Sequence, residues 1–148
     1  MYVSPTKDNM PTRIASNQEL AHSLYNSVFN MLKSRGLSVQ KLSPVGSFEA
    51  SMPGILYVRL FVFVDPNEKN PVGISCTVHA EHELSSYFKG FEASDFLEFE
   101  SSFEDACNRV HKMWYSETSS KIRAKIEKAE LELVELGKMS DRMKGIYR

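Results

Sequence analysis

Two histidines and two glutamates lie close together in the segment His79-Ala80-Glu81-His82-Glu83. Imidazole and carboxylate groups are suitable ligands for zinc or iron, so this segment is the best candidate for the site of a metal-dependent enzyme. However, it follows an alternating apolar pattern that predicts a strand, on which His79 and His82 point to opposite faces. Zinc proteases instead place two histidines four apart on a helix. We therefore expect a polar strand end without metal or cofactor.

A second candidate for chemistry is the pair Cys107 and His111, which lie four residues apart, the spacing of one helical face. A thiolate–imidazolium pair is one interpretation, and two packed side chains beside an apolar stripe are the other. The remaining cysteine, Cys76, lies far away in the sequence, so the two cysteines do not suggest a disulfide scaffold. The sequence contains neither a glycine-rich phosphate loop nor a nucleophile elbow. We expect a protein that is not an enzyme.

The most unusual local composition is in Glu81–Asp105, which has eight acidic residues and one basic residue, a net charge of −7. Aromatic residues are mixed with these acids, and an acidic aromatic surface can dock on a basic patch of another protein. The alternative is that the rings are core and the acids are their solvated neighbours. The segment is predicted to be a loop or short helix, with a fourth strand as the alternative. The candidate partner-binding residues are Phe91, Glu92, Asp95, Phe96, Glu98 and Glu100.

Apolar residues near the C-terminus step by 4, 3, 4 and 3 positions, the pattern of a coiled-coil seam. Such a seam predicts packing against another helix, either the first helix of the same chain or the helix of a second copy. We expect a homodimer. The predicted self-association residues are Ile122, Ile126, Ala129, Leu133 and Leu136.

The same region is basic, with eight basic and five acidic residues in 121–148, a net charge of +3. This charge leaves nucleic-acid binding as an alternative function, although a nucleic-acid helix is usually less interrupted by glutamate. The residues that would carry it are Lys121, Arg123, Lys125, Arg142, Lys144 and Arg148.

The elements that position these groups can be read from periodicity and turn residues. Ser16-Asn17-Gln18-Glu19 has capping-box spacing and Gly36 suits a helix end, so a helix is predicted over Asn17–Arg35. Ile55–Val64 is predicted to be a central strand covered at least in part on each face, followed by a half-buried antiparallel strand from Val72. Together these indicate an α+β fold with an N-terminal helix, a three- to four-stranded antiparallel sheet and a long C-terminal helix or helix pair.

The C-terminal half is predicted to start a helix at the capping box Ser101-Ser102-Phe103-Glu104. Thr118-Ser119-Ser120 predicts a kink or a new start, Gly137 a stop, and Met139–Arg148 a frayed tail. The predicted division is a flexible arm at 1–15, a core domain at 16–118 and a charged helix at 119–148.

The order helix–strand–strand–strand–helix is similar to that of double-stranded RNA-binding domains. That family has a basic cluster at the start of its last helix, where this chain has Glu104 and Asp105. The resemblance therefore extends to element order and not to RNA binding.

The totals describe an ordinary globular chain of 148 residues, 42% hydrophobic and 25% charged, with a net charge of −1. This length fits one domain. A net charge near zero gives the chain no general electrostatic attraction to nucleic acid or to a membrane surface. Without a signal peptide or a long apolar run, a cytoplasmic protein is expected. The predicted function is a protein-interaction module, a small regulator or inhibitor of the kind found as accessory proteins of phages and mobile elements.

Overall fold

A computed structural model describes residues 10–42, 46–65 and 67–148, with the backbone alone for residues 10–15. The fold is α+β, as predicted: a helix, an antiparallel sheet and a long C-terminal helix. The sheet has five strands in chain order, more than the three to four predicted. The elements are α1 (Met10–Ser34), β1 (Ser38–Lys41), β2 (Ser47–Met52), β3 (Leu56–Val64), β4 (Val72–His82), β5 (Ser85–Ala93) and α2 (Phe96–Tyr147).

Helix α1 begins seven residues before its predicted start at Asn17 and ends at Ser34, one residue before its predicted end at Arg35. Of the predicted arm 1–15, residues 1–9 lie outside the described part and residues 10–15 belong to α1. At the other end, Gly36 has a φ of 85°, and its N–H donates to the Lys33 carbonyl at 3.0 Å. The N–H of Leu37 donates to the Leu32 carbonyl at 3.2 Å, which completes a Schellman motif.

The first two strands, β1 and β2, form an antiparallel pair in which Val39 lies opposite Ala50. Gly46 makes the connection to the sheet: its φ is 98°, and its carbonyl accepts the N–H of Val62 at 2.9 Å. A Cβ at this position would lie 2.8 Å from the Val62 carbonyl oxygen. Only glycine fits both the positive φ and the close approach.

Strand β3 is central, as predicted, but it is covered by a helix on one face only. Val58, Leu60 and Val62 are buried, whereas Arg59 and Phe61 on the alternate face are exposed. At least partial cover was predicted on each face, and the second face has less of it than expected: Tyr57 and Phe63 are half-buried there, but no helix in the described chain packs on it. Apolar runs alone do not distinguish these two environments.

Both helices pack on the same face of the sheet and form one core with it. In α1, Leu24, Val28 and Leu32 recur every four residues and are buried, as an amphipathic helix requires. In the first part of α2, Phe99 and Phe103 do the same. The largest fully buried strand residues facing them are Phe48, Val58, Leu60, Ile74, Cys76 and Val78.

Helix α2 is a single helix of 52 residues. Of the two predicted alternatives, the long helix is therefore correct and the helix pair is not. At 1.5 Å per residue α2 is about 78 Å long. It begins at Phe96, before the predicted capping box, and it continues through Thr118-Ser119-Ser120, through Gly137 and through the predicted frayed tail to Tyr147. The predictions of a kink, a helix stop and a frayed tail were therefore wrong.

Candidate interaction site

The acidic residues at the start of α2 act partly as helix caps. The N–H of Glu98 donates to Oδ1 of Asp95 at 2.8 Å, and the N–H of Ser94 donates to Oε2 of Glu98 at 2.9 Å. This reciprocal pattern satisfies backbone donors that a helix start leaves without partners. Two of the predicted partner-binding acids thus explain why α2 begins here.

The aromatic residues of the same candidate set point toward the core. Phe91 lies on the core face of β5, with its ring centroid 5.7 Å from that of the buried Phe99, and Phe96 also packs against the core. Glu92 lies on the opposite face, opposite Ser75 in the β4–β5 register. Glu100 is half-buried in α2. The structure therefore directs Phe91 and Phe96 toward the core, away from Glu92 on the other face of the sheet.

Two of the predicted acids line the same open hollow, between the β3–β4 turn and the start of α2. Glu92 and Glu98 line it together with Asp65 and Glu68. Lys69 is the basic residue in its lining. Pairing β3 with β4 brings the two turn acids here, and no sequence pattern predicted this convergence.

The candidate metal ligands His79 and His82 lie on opposite faces of β4, as predicted from their spacing. His79 sits between the rings of Tyr57 and Phe88, with both centroids 5.7 Å away. His82 accepts the N–H of Leu84 through Nδ1 at 3.2 Å, at the turn into β5. Within the described residues, no three histidine, cysteine, aspartate or glutamate side chains are grouped so that they could hold a metal ion.

The two cysteines are both withdrawn from solvent. Burial raises the pKa of the Cys76 thiol strongly, and it raises that of Cys107 to about 11. A nucleophilic cysteine requires the opposite shift, toward the thiolate. His111, the proposed partner of Cys107, is exposed and lies near the ring of Tyr115, at 6.2 Å between centroids. The geometry favours the packed interpretation of Cys107.

The uncovered sheet face carries an aromatic row that sequence reasoning did not find. Tyr57, His79 and Phe88 come from three adjacent strands and are aligned by the β3–β4 and β4–β5 registers. The Tyr57 hydroxyl donates to Glu49, whose carboxylate is also 3.8 Å from Arg59. Phe88 is 71% exposed. No sequence signal could have found the row, because it exists only once the strands are paired.

Helix α2 leaves the rest of the chain at Thr118, its last buried residue. Three contacts hold this exit in place. The Thr118 hydroxyl is hydrogen-bonded to that of Ser85, Nζ of Lys121 donates to the Leu84 carbonyl at 2.7 Å, and the same Nζ is 2.8 Å from Glu117. We call the part of the protein before this exit the head, and residues 120–148 the projecting segment.

Every residue of the projecting segment is exposed. Its 28 helical residues extend about 42 Å from the head. Ile122, Ile126, Leu133 and Leu136 of the predicted seam are between 40% and 67% exposed. The seam is therefore not buried against the first helix or any other described part of its own chain. Further exposed apolar residues on this segment are Leu131, Val134, Met139, Met143, Ile146 and Tyr147.

The predicted seam extends beyond the residues first identified. Because α2 continues as a helix to Tyr147, the 4–3 spacing runs on through Ser140, Met143 and Tyr147. In heptad notation the a positions are 126, 133, 140 and 147, and the d positions are 122, 129, 136 and 143. The flanking e and g positions hold both charge signs, including Lys125 before Ile126 and Glu130 after Ala129.

The basic residues of the nucleic-acid alternative are distributed around this same helix. At the exit, Nζ of Lys121 donates to the Leu84 carbonyl and lies 2.8 Å from the Glu117 carboxylate. The others are exposed, and glutamates alternate with several of them along the helix. Lys138, for example, is 3.3 Å from Glu135. The remaining predicted residues are Arg123, Lys125, Arg142, Lys144 and Arg148, all exposed.

No family model, curated protein sequence or solved structure matches the chain. Neither α1 nor α2, as far as the structure describes them, combines the length and apolar content needed to cross a bilayer. The geometry described above therefore stands alone as the basis for assigning a function.

Proposed function

We propose that this protein is a non-enzymatic interaction module that associates with a second copy of itself through the projecting segment. The observation that carries the proposal is the exposure of the whole segment together with its apolar seam. A helix with an apolar stripe is stable when that stripe is buried against another element. Since nothing in the described chain covers the stripe, the partner is another chain.

The size of the exposed apolar surface supports a specific contact. Single exposed leucines are ordinary on protein surfaces, but contiguous apolar surface marks an interaction site. Each seam leucine or isoleucine contributes about 1.5–3 kcal/mol when it is fully buried. Several such residues on two helices give a favourable term that can exceed the cost of association.

A second copy is the partner that fits the seam, because the pattern is complementary to itself. Identical helices match their own heptads along the full length, and their flanking charges include both signs. Two-fold dimers are the commonest closed assemblies of identical chains. The dimer would join two heads through a stalk made of two projecting segments.

Replacing Ile126 and Leu133 with glutamate tests the proposal. Light scattering of the wild-type chain should give twice the chain mass of 16.9 kDa, and the double variant should give the single chain mass. A matched control is Leu131→Glu with Val134→Glu, which removes two equally exposed apolar residues outside the a and d positions. The control should stay dimeric. A wild-type chain that scatters as a monomer, or equal masses for the two double variants, would overturn the proposal.

A further inference from the structure

The orientation of the two helices follows from residues on either side of the seam. We infer that the two copies pair in parallel and in register, so that both heads lie at the same end of the stalk. This inference rests on the proposed self-association and adds a geometry to it.

Parallel, in-register pairing places opposite charges next to each other. In such a dimer a g residue lies beside the e residue five positions later on the partner helix. Lys125 is then beside Glu130 of the partner subunit, and two-fold symmetry repeats the pair. The other flanking pairs each combine a charged residue with an uncharged one, such as Glu132 with Gly137 of the partner subunit. No like-charge pair arises along the seam.

The antiparallel alignment with full overlap places like charges together. Antiparallel helices bring e beside e and g beside g. When residues 122–147 overlap completely, Arg123 lies beside Lys144 of the partner subunit, and symmetry again repeats the pair. Shifting one helix by a heptad toward the head brings Glu130 beside its own copy and Glu132 beside its own copy. Both alignments are opposed by repulsion between like charges.

A third antiparallel alignment, shifted by a further heptad, has favourable charges but loses apolar cover. It places Lys125 beside Glu132 of the partner subunit. However, Met143 then faces Lys112 of the partner subunit, and Tyr147 faces Asn108 of the partner subunit. Parallel pairing instead lays Met143 and Tyr147 against their own copies. A heptad shift in the other direction pairs Glu130 with Lys144 of the partner subunit, but it leaves Ile122 and Ile126 beyond the end of the partner subunit's α2. Parallel pairing is the alignment that satisfies the charges and covers the apolar residues at both ends of the seam.

The apolar seam ends close to the exit of α2 from the head, which leaves room for two heads at the same end of the stalk. Continued toward the start of α2, the a and d positions hold Lys112, Asn108, Asp105 and Ser101, all polar and exposed. No apolar contact would therefore hold the two helices together between the start of α2 and Tyr115. In the parallel dimer they diverge there.

Cysteine cross-linking distinguishes the orientations. Ser140 occupies an a position, so Ser140→Cys places two thiols in one layer of the parallel dimer and in different layers of every antiparallel one. Mild oxidation of the dimeric variant should convert most chains to a disulfide-linked pair. The matched control, Ser120→Cys, introduces a thiol at an exposed position outside the seam, and it should cross-link at least tenfold more slowly. The wild-type chain controls for Cys76 and Cys107.

Mixing tagged Ser140→Cys chains with Tyr115→Cys chains identifies the competing alignment, because those two positions meet in the third antiparallel arrangement. A disulfide between two Ser140→Cys chains, together with a dimeric mass before oxidation, supports the inference. A dimeric mass without that cross-link, or a 115–140 cross-link, overturns the orientation and leaves the proposed function standing. A monomeric mass before oxidation overturns both.

Discussion

The hydroxyl groups of Ser85 and Thr118 are hydrogen-bonded to each other, and they join the first residue of β5 to the last buried residue of α2. The contact marks the boundary between a helix held by a core and a helix surrounded by solvent. Next to it, Lys121 donates to the Leu84 carbonyl and so ties the β4–β5 turn to the same exit. The direction in which the projecting segment leaves the head depends on these few polar contacts.

Removing the Thr118 hydroxyl should loosen this exit. Thr118→Val keeps the shape of the side chain but leaves Ser85 without its partner, which should lower the free energy of unfolding by about 1 kcal/mol. Urea denaturation of the full chain measures the change. Ser120→Ala removes an exposed hydroxyl two residues away and should change the stability by less than about 0.5 kcal/mol. Equal effects for the two variants would show that the Ser85–Thr118 contact contributes nothing.

Gly73 should resist substitution because the Phe63 ring lies against it. A Cβ at position 73 would be 2.6 Å from Cζ of Phe63, so the ring must move. Gly73→Ala should therefore destabilise the head by about 0.5–1.5 kcal/mol, the usual cost of a side chain forced off its rotamer. Gly90→Ala on neighbouring β5 is the control, since its nearest contact would be an ordinary 3.8 Å. Thermal unfolding that ranks Gly90→Ala as the more damaging change would contradict this packing.

Gly137 should be a weak point of the projecting segment. It lies inside the helix, and a Cβ there meets nothing within 4 Å. Gly137→Ala should stabilise the helix by about 1 kcal/mol, and Ala124→Gly on the same segment should have the opposite effect of similar size. Circular dichroism at 222 nm during thermal unfolding measures both. No change in either variant would indicate that the segment is not helical in solution.

The Cys107 thiol should lower stability at high pH. Its pKa rises from 9.0 to about 11 on folding because burial disfavours the thiolate. The neutral thiol is thus favoured in the folded chain, a contribution that is complete below pH 9 and is lost as the pH rises toward 11. Replacing Cys107 with serine should make the stability profile less steep between these values, with the slope from the buried Cys76 thiol remaining, as urea titrations at several pH values would show. A slope unchanged by the substitution would contradict the assignment.

The sequence was most informative where a pattern depends on one helix alone. The seam from Ile122 to Leu136 follows from spacing, and so do the buried positions Val28 and Phe103. Spacing could not reveal that Thr118-Ser119-Ser120 continues the helix. There Thr118 bonds to Ser85, and Ser119 bonds back to the Ser116 carbonyl at 3.1 Å, so the hydroxyls are satisfied without breaking the helix.

The strands were harder to predict because their environment is set by pairing. The segment that holds β5 was predicted to be a loop or short helix, with a fourth strand as the alternative, and its first part forms a strand. Lys89 and Gly90 interrupt the alternation that a strand usually shows. As an edge strand β5 tolerates both, because one side of its backbone has no neighbouring strand. The row of Tyr57, His79 and Phe88 is assembled across three strands in the same way, and only the register brings these residues together.

Sedimentation equilibrium of the unmodified full chain over a wide concentration range tests the pairing of projecting segments most directly. The expected result is a single monomer–dimer equilibrium in which the mass rises from 16.9 kDa to a plateau at twice that value. A mass that stays at 16.9 kDa at every concentration, or that rises beyond two chains without a plateau, would contradict it.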